Sequence, residues 1–442
     1  MILICKAKTT WRIHTQNKGW DKMNEVKMRY LNQVIKDENV VFSTNNLVIS
    51  PAGSGKTTLI KDIMKVKIEN CYLGSNKKFL LLVSTRALKE AYPSKFESKT
   101  DEEVEDEVIY GDYYDVMTYA KFGTLVIFDN IFLENVADIF CDEIHSLFHY
   151  FAISKSMSKV GLGSAIKVLT EKHSDREIYY FTATARKLYD FAEVHKGVMR
   201  NMKVVDYTNL ADIKRNKQDK RKGYRTIEQI PYLLKPYIER IHSGEVKVLF
   251  YTKLVNKMKF IEQLLEEENA GRSADEPKLI PLVIWSKANK DHEMSKETLE
   301  AYDILMKTGQ LISPYNCLII NEAAVEGWDL LDKTFQVAVI DTEDETSFIQ
   351  SLGRIRQNIE EVFYLDANAE PDFEVMEALL DKPMSTNDRD ILIRYLGLLN
   401  TKGGIMGWKG AKPIIEKHGY KVKKKEETVN KELVVSWVFS KA

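Results

Sequence analysis

Short, continuous apolar runs recur along the chain and predict two sets of strands that are buried on both faces. The runs span residues 47–49, 79–84, 139–141 and 178–181 in the first half, and 247–252, 282–285, 317–320 and 336–340 in the second. Helical patterns lie between them, as at 57–66. Strands that alternate with helices pair in parallel, and the polar residues that follow them gather at one sheet edge. The pattern therefore predicts an α/β protein with two parallel sheets.

Two changes along the sequence suggest how the chain divides. A hydrophilic stretch at 214–225 separates the two sets of strands, and from about residue 372 helical patterns are followed by two alternating segments typical of a hairpin. We expect an N-terminal domain at 1–200, a second domain at 201–368 and a small C-terminal α+β appendage at 369–442. Helices followed by a two-stranded ribbon make a winged helix one candidate form of this appendage.

The bulk composition narrows the class of protein. A chain of 442 residues is too long for one hydrophobic core, and its 64 Lys and Arg against 65 Asp and Glu leave a net charge of -1. Nucleic-acid binding would therefore need a local basic surface. The four cysteines have no metal-ligand spacing, which favours a reduced, cytoplasmic protein, and no apolar run is long enough to predict a membrane span.

The segment at 47–59 carries the strongest chemical signal, because a buried strand runs through a glycine-bearing loop into Lys56, Thr57 and a helix. Such a loop turns successive backbone N–H groups toward one anion, and the helix N-terminus adds its positive end. We expect Lys56 to reach the β- and γ-phosphates of a nucleotide and Thr57 to bind Mg²⁺. Ser50 stands where the GxxxxGK[ST] pattern has its first glycine. The predicted cofactor-binding residues are Gly53, Ser54, Gly55, Lys56, Thr57 and Thr58.

Two adjacent acids, Asp142 and Glu143, follow another predicted strand. An aspartate there can hold Mg²⁺ while its neighbour orients and deprotonates the water that attacks the γ-phosphate. His145 comes three residues after Asp142.

Six segments, taken in chain order, resemble the motifs of the superfamily 2 helicases of the DExH type. They are 53–57, 85–88, 142–145, 182–184, 326–329 and 350–354. The resemblance implies two RecA-like domains, with ATP and Mg²⁺ in the cleft between them and a nucleic-acid strand across their top.

The resemblance also implies roles for individual residues. The catalytic group would be Lys56, Glu143, Gln350, Arg354 and Arg356. The metal ligands would be Thr57 and Asp142. The residues that couple nucleotide to strand binding would be His145, Thr182, Thr184, Gly327 and Asp329. The contacts to nucleic acid would be Thr85, Arg86, Thr118, Thr252 and Asn321.

This chain departs from the family pattern at two motifs. The usual last motif, QRxGRxGR, has arginines at its fifth and eighth positions, whereas here they are Arg354 and, one residue early, Arg356, with Gln357 at the eighth. Either Arg356 serves as a second arginine finger through a local helix adjustment, or only Arg354 does. Asn321 replaces a more usual threonine, although its amide can still bond phosphate.

The function we expect is that of an ATP-dependent helicase or translocase that acts on single-stranded or forked nucleic acid, with DNA preferred. An RNA helicase is the alternative within the family. A terminase-like DNA-packaging motor and an ATP-switched nucleic-acid clamp are alternatives from other classes. No membrane partner is expected.

Overall fold

The computed structural model describes residues 28–37, 45–69, 77–85, 89, 113–129, 132–171, 176–215, 218–270, 272–273, 275–276, 278–286, 289, 292–322, 329–377, 379–429 and 432–442. The predicted roles of Arg86 and Gly327 lie outside these residues. The strands among these residues form three sheets, two with six such strands and one with three.

The first sheet is entirely parallel and has the spatial order β3-β2-β4-β5-β1-β6. Its strands are β1 Asn46–Ile49, β2 Lys78–Val83, β3 Tyr114–Thr118, β4 Val136–Cys141, β5 Ile178–Thr182 and β6 Lys203–Asp206. The helices around it are α1 Leu31–Asp37, α2 Lys56–Glu69, α3 Tyr119–Phe128, α4 His145–Ile153, α5 Ser156–Thr170 and α6 Arg186–Val194, with a 3-10 turn at Phe132–Asn135. Every residue of β1, β4 and β5 is buried, because helices cover both faces of the sheet.

The second sheet repeats this plan in the order β7-β12-β11-β8-β10-β9, again all parallel. Its strands are β7 Gln218–Tyr224, β8 Lys247–Thr252, β9 Pro281–Ile284, β10 Cys317–Ile320, β11 Phe335–Asp341 and β12 Ile359–Leu365. Its helices are α7 Ile230–Leu234, α8 Ile238–His242, α9 Val255–Ala270, α10 Lys296–Thr308 and α11 Glu345–Leu352, with 3-10 turns at Ile227–Gln229 and Lys235–Tyr237. The predicted α/β fold with two tandem parallel-sheet, RecA-like domains is confirmed.

The border between the two sheets lies later than expected. β6 pairs with β1, so the first sheet continues past residue 200. The hydrophilic stretch expected to separate the domains instead contains β7, an edge strand of the second sheet that pairs only with β12. An edge strand leaves much of its length to solvent and can be polar, so its sequence, QDKRKGY, shows no apolar run. The border falls between Asp206 and Gln218.

The C-terminal appendage contains the predicted helices and hairpin. Its elements are α12 Glu374–Glu377, β13 Pro383–Met384, α13 Thr386–Tyr395, α14 Trp408–Lys417, β14 Tyr420–Val429 and β15 Glu432–Lys441. β14 and β15 pair along their whole length, and the short β13 adds to the other side of β15. The appendage docks on the second domain, where the Gln229 side chain donates to the Tyr395 carbonyl at 3.0 Å and Lys222 pairs with Asp372 at 2.6 Å.

The composition led to expectations about the cysteines and about membrane spans. Cys141 and Cys317 are buried free thiols. Among the helices that the structure describes, none combines the length and apolar character needed to cross a membrane.

Gly123 on α3 packs against Gly161 on α5 so closely that a Cβ added to Gly123 would lie 1.7 Å from the Gly161 carbonyl oxygen. We expect Gly123→Ala to destabilise the protein by about 2–3 kcal/mol or more, because the two helix backbones must move apart. The midpoint of urea unfolding measures this. Gly407→Ala is the control, since nothing lies within 4 Å of its new methyl group. A wild-type midpoint for Gly123→Ala would contradict the packing described.

Candidate active site between the two sheets

The loop at 50–55 joins β1 to α2 and uses glycine at two of its positions. Gly53 and Gly55 have φ values of +76° and +94°, a region that side chains disfavour. Ser50 has no positive φ, and its hydroxyl lies 2.9 Å from that of Ser54. The loop therefore needs no glycine at position 50, which accounts for the departure from the usual pattern.

The Lys56 amine lies at the centre of this loop. Its side chain is only 9% exposed, and Nζ lies 3.4 Å from the carbonyl oxygens of both Ser50 and Pro51 and 3.7 Å from Glu143 Oε1. Neutral carbonyls and one carboxylate thus hold the amine next to the turn where the backbone N–H groups converge. This is the position from which a lysine can contact nucleotide phosphates.

Glu143 follows Asp142 at the end of β4 and has a φ of +48°, unusual for a residue with a side chain. Burial by itself would raise the pKa of Glu143, but the charge of Lys56, the imidazole of His145 and the N–H of Ala183 together hold it well below its usual range. The Ala183 N–H donates to Glu143 Oε2 at 3.2 Å. The carboxylate is therefore ionised and aimed by hydrogen bonds.

A chain of hydrogen bonds connects this acid to the second domain. Gln350 Nε2 lies 2.8 Å from His145 Nε2, and His145 Nδ1 lies 2.9 Å from Thr182 Oγ1 and 3.3 Å from Glu143 Oε2. With the amide nitrogen donating to Nε2, Nδ1 carries the proton and donates toward Thr182 and Glu143. Thr182 Oγ1 in turn accepts from the Thr184 N–H at 3.0 Å. The structure thus brings four of the predicted catalytic and coupling side chains into one network.

The end of α11 determines how the two arginines are presented. The helix ends at Leu352, Gly353 and Arg354 form a turn, and Ile355 then forms a bridge with Leu330. Both arginines line the same cavity. Arg356 Nη2 donates to Asp329 at 2.6 Å, while Arg354 Nη1 lies 3.9 Å from the same oxygen.

Gln357, at the position where the family has its last arginine, has a different role. Its side-chain amide donates to the Asp332 carbonyl and, at 3.3 Å, to that of Phe335. The role of Arg356 as a second arginine finger stays a prediction.

One cavity of about 400 Å³ receives these groups from both domains. The first domain contributes Gly53, Gly55, Lys56, Thr57, Thr58, Asp142 and Glu143. The second contributes Asp329, Gln350, Gly353, Arg354 and Arg356. Ser54 differs from the prediction, because its side chain is fully buried beneath the loop and bonds to Ser50. The Thr57 hydroxyl and the Asp142 carboxylate are hard oxygen donors of the kind that Mg²⁺ prefers.

Four of the residues predicted to contact nucleic acid are described, each at or just after the carboxyl end of a strand, and two of them use their hydroxyls within the fold. Thr252 is fully buried and donates to Asp341 at 2.8 Å, so its side chain is not presented to a strand. The Thr118 hydroxyl caps α3 by accepting from the Lys121 N–H. Thr85 follows β2 and Asn321 follows β10, and their predicted contacts stay predictions.

Tyr30 and Lys214 line the cavity but lie outside every segment that sequence reasoning identified as a motif. The Tyr30 ring is 47% exposed and lies over the phosphate loop, where its Cδ1 would be 3.3 Å from a Cβ on Gly55. The Lys214 N–H donates to the Arg29 carbonyl at 2.7 Å, which brings the two segments together beside the loop. No motif surrounds either residue, so only the pairing of distant segments identifies them.

The two domains also pack closely at Gly353. A Cβ added there would lie 2.7 Å from Ala52 Cβ in the phosphate loop. The absence of a side chain at Gly353 is therefore what allows the arginine-bearing segment to reach the loop.

Comparisons with known proteins give structural neighbours only. No protein-family model and no curated protein matches the sequence. Among solved structures, S. cerevisiae Dbp5 bound to RNA and ADP BeF3 is 12% identical, with a TM-score of 0.49 over 88% of this chain and 93% of that one. Mycobacterium smegmatis helicase Lhr bound to ssDNA and AMP-PNP is 11% identical, with a TM-score of 0.47 over 93% of this chain and 57% of that one. Escherichia coli DEAH/RHA helicase HrpB is 13% identical, with a TM-score of 0.46 over 85% of this chain and 48% of that one. Identities and TM-scores this low say nothing about activity. The tandem RecA-like fold is established from the strand order of this chain.

Proposed function

We propose that this protein is an ATP-dependent nucleic-acid helicase or translocase, with DNA as its polymer. A single observation carries the proposal: one cavity is lined by Lys56 and Glu143 from the first domain and by Arg354 from the second. DNA is proposed on the DExH-type order of the motifs, and RNA is the alternative that the assay below separates.

The charges in the cavity suit hydrolysis of a nucleoside triphosphate. Lys56, Arg354 and Arg356 can neutralise the phosphate oxygens, where charge develops in phosphoryl transfer. Thr57 and Asp142 would hold Mg²⁺, which when bound supplies further positive charge to those oxygens.

Glu143 is the residue that we propose to orient and deprotonate the attacking water. A carboxylate held strongly acidic by Lys56 is a weak base. Phosphates that draw the Lys56 amine toward themselves would weaken that ion pair and raise the pKa of Glu143 toward its usual value. Nucleotide binding would therefore activate the base in the same step that places its substrate.

Closure of the cleft would couple hydrolysis to movement. The arginines and Gln350 reach the phosphates only while the domains are together, and His145 connects Gln350 to Thr182 beneath them. Opening after phosphate release would let the two domains shift relative to each other along a bound strand.

The first test measures ATP hydrolysis alone and with single-stranded DNA, duplex DNA and RNA in parallel. We expect single-stranded DNA to stimulate turnover most. Hydrolysis that no polymer stimulates would contradict the proposal, and stimulation without strand displacement on a forked duplex would favour the clamp. Lys56→Ala should abolish turnover, whereas Glu143→Gln should retain ATP binding and lose hydrolysis.

The second test compares the two arginines. Loss of an arginine finger should lower the rate by about 10³-fold or more. Because Arg356 is the one bonded to Asp329, we expect Arg354→Ala to lose that much and Arg356→Ala to lose less. Single-turnover hydrolysis measures both, and the reverse order would make Arg356 the finger.

The third test concerns the contact between Gly353 and Ala52. Gly353→Ala should hold the cleft open by about the size of a methyl group and lower hydrolysis by on the order of 10²-fold, because reacting groups tolerate little misplacement. Binding of a fluorescent ATP analogue should change little. Ala52→Gly in the same protein removes the opposing methyl group and should restore part of the rate. An unimpaired Gly353→Ala enzyme, or no rescue, would contradict this role.

A further inference from the structure

One face of the C-terminal hairpin carries three lysines in a row. Lys421, Lys423 and Lys425 occupy alternate positions of β14, so their side chains leave the sheet on the same side. All three are exposed, and none forms an ion pair with a described residue. Their neighbours across the hairpin are uncharged: Ser440, Val438 and Ser436. We call Lys421, Lys423 and Lys425 the lysine row.

The opposite face of the hairpin packs on the appendage. Tyr420 and Phe439 are buried in its apolar cluster, and Val422 and Trp437 pack against that cluster. Lys424, which points to this packed face, forms an ion pair with Glu426. The lysine on the inner face thus has an acidic partner, whereas the three on the outer face have none among the described residues. The nearest acid on the outer face of β14 is Glu427, which follows the row.

The row has the charge and spacing of a phosphate contact. Consecutive members are about 6.6–6.8 Å apart along the strand, so the row extends about 13 Å. Like charges held at this spacing repel one another, and the uncharged residues of β15 do not relieve that repulsion. A polyanion with regularly spaced charges would relieve it.

We propose that the lysine row binds the phosphate backbone of the nucleic acid on which the protein acts, which makes the appendage a second holding point outside the cleft. This inference rests on the proposed function for the identity of the polymer. The row would also supply the local basic surface that nucleic-acid binding requires of a chain whose net charge is -1.

A competing explanation starts from the position of β14 at the edge of its sheet. Lysines on an edge strand discourage pairing with other chains. That role predicts aggregation when the lysines are removed, and it predicts no effect on the salt dependence of nucleic-acid binding.

The test replaces all three lysines with glutamine in the full chain and measures the affinity for single-stranded and duplex DNA across a range of salt concentrations. Each phosphate contact contributes about 0.7 to the slope of log K against log salt for single strands and about 0.9 for duplex. We therefore expect the slope to fall by about 2 for single strands and nearly 3 for duplex. Basal ATP hydrolysis should not change, and the midpoint of urea unfolding should show that the fold is retained.

The matched control replaces Lys402, Lys409 and Lys417 with glutamine. These are three exposed lysines of the same appendage, and Lys409 and Lys417 lie on α14, which packs against the inner face of the hairpin. The control removes the same charge and should leave the slope near that of the wild type.

The outcomes separate this inference from the proposed function. A wild-type slope in the row variant, with or without aggregation, would overturn the inference, while polymer-stimulated hydrolysis in the same preparation would leave the proposed function intact. Equal loss in the row variant and the control would also overturn it, because net charge alone would explain both. The slope could also fall only in the row variant while no polymer stimulates hydrolysis. That result would support phosphate binding by the lysine row and contradict the proposed helicase or translocase function.

Discussion

The candidate active site exists because residues from two separate domains line one cavity. Lys56 begins the helix that follows the phosphate loop in the first domain, and Arg354 lies beyond the end of a helix in the second. Neither domain alone contains both charges. Any anion that engages both residues is therefore sensitive to how the domains are arranged, which is the physical requirement for converting phosphate chemistry into movement.

Small residues and hydrogen bonds set the width of this cavity. Gly353 meets Ala52 without a side chain between them, and Gln350 reaches His145 within hydrogen-bond distance. These contacts lie on the same helical segment, so the arginines that follow are positioned by it. His145 also contacts Thr182 and Glu143, and the geometry of the acid is thus connected to the presence of the second domain.

The charged groups of the cavity form ion pairs within each domain. Glu143 and Lys56 neutralise each other inside the first domain, and Asp329 holds Arg356 inside the second. Lys56 and Arg356 are thus already paired with carboxylates, which lowers the cost of holding charged groups in a partly buried cavity. The lysine row of the appendage is the contrasting case, because its three charges have no such partners among the described residues.

Much of the architecture follows from the sequence alone. Strands buried on both faces leave apolar runs, and the eight runs correspond to strands of the two sheets. The phosphate loop and the pair Asp142 and Glu143 are also local, since each needs only a strand end and a few adjacent residues. The polar edge strand β7 and the short, exposed β6 escaped prediction because a strand with one neighbour or one exposed side leaves no apolar run.

Only the tertiary structure decided which distant residues meet. The sequence left open how Arg354 and Arg356 are presented, and the structure places both beyond the end of α11, on either side of the bridge between Ile355 and Leu330. Tyr30, Lys214 and the contact of Gly353 with Ala52 likewise arise from segments far apart in the chain. Hydrophobic periodicity indicates whether a residue is buried. The contacts between distant segments depend on how whole helices and strands pack, and a local sequence pattern does not predict that packing.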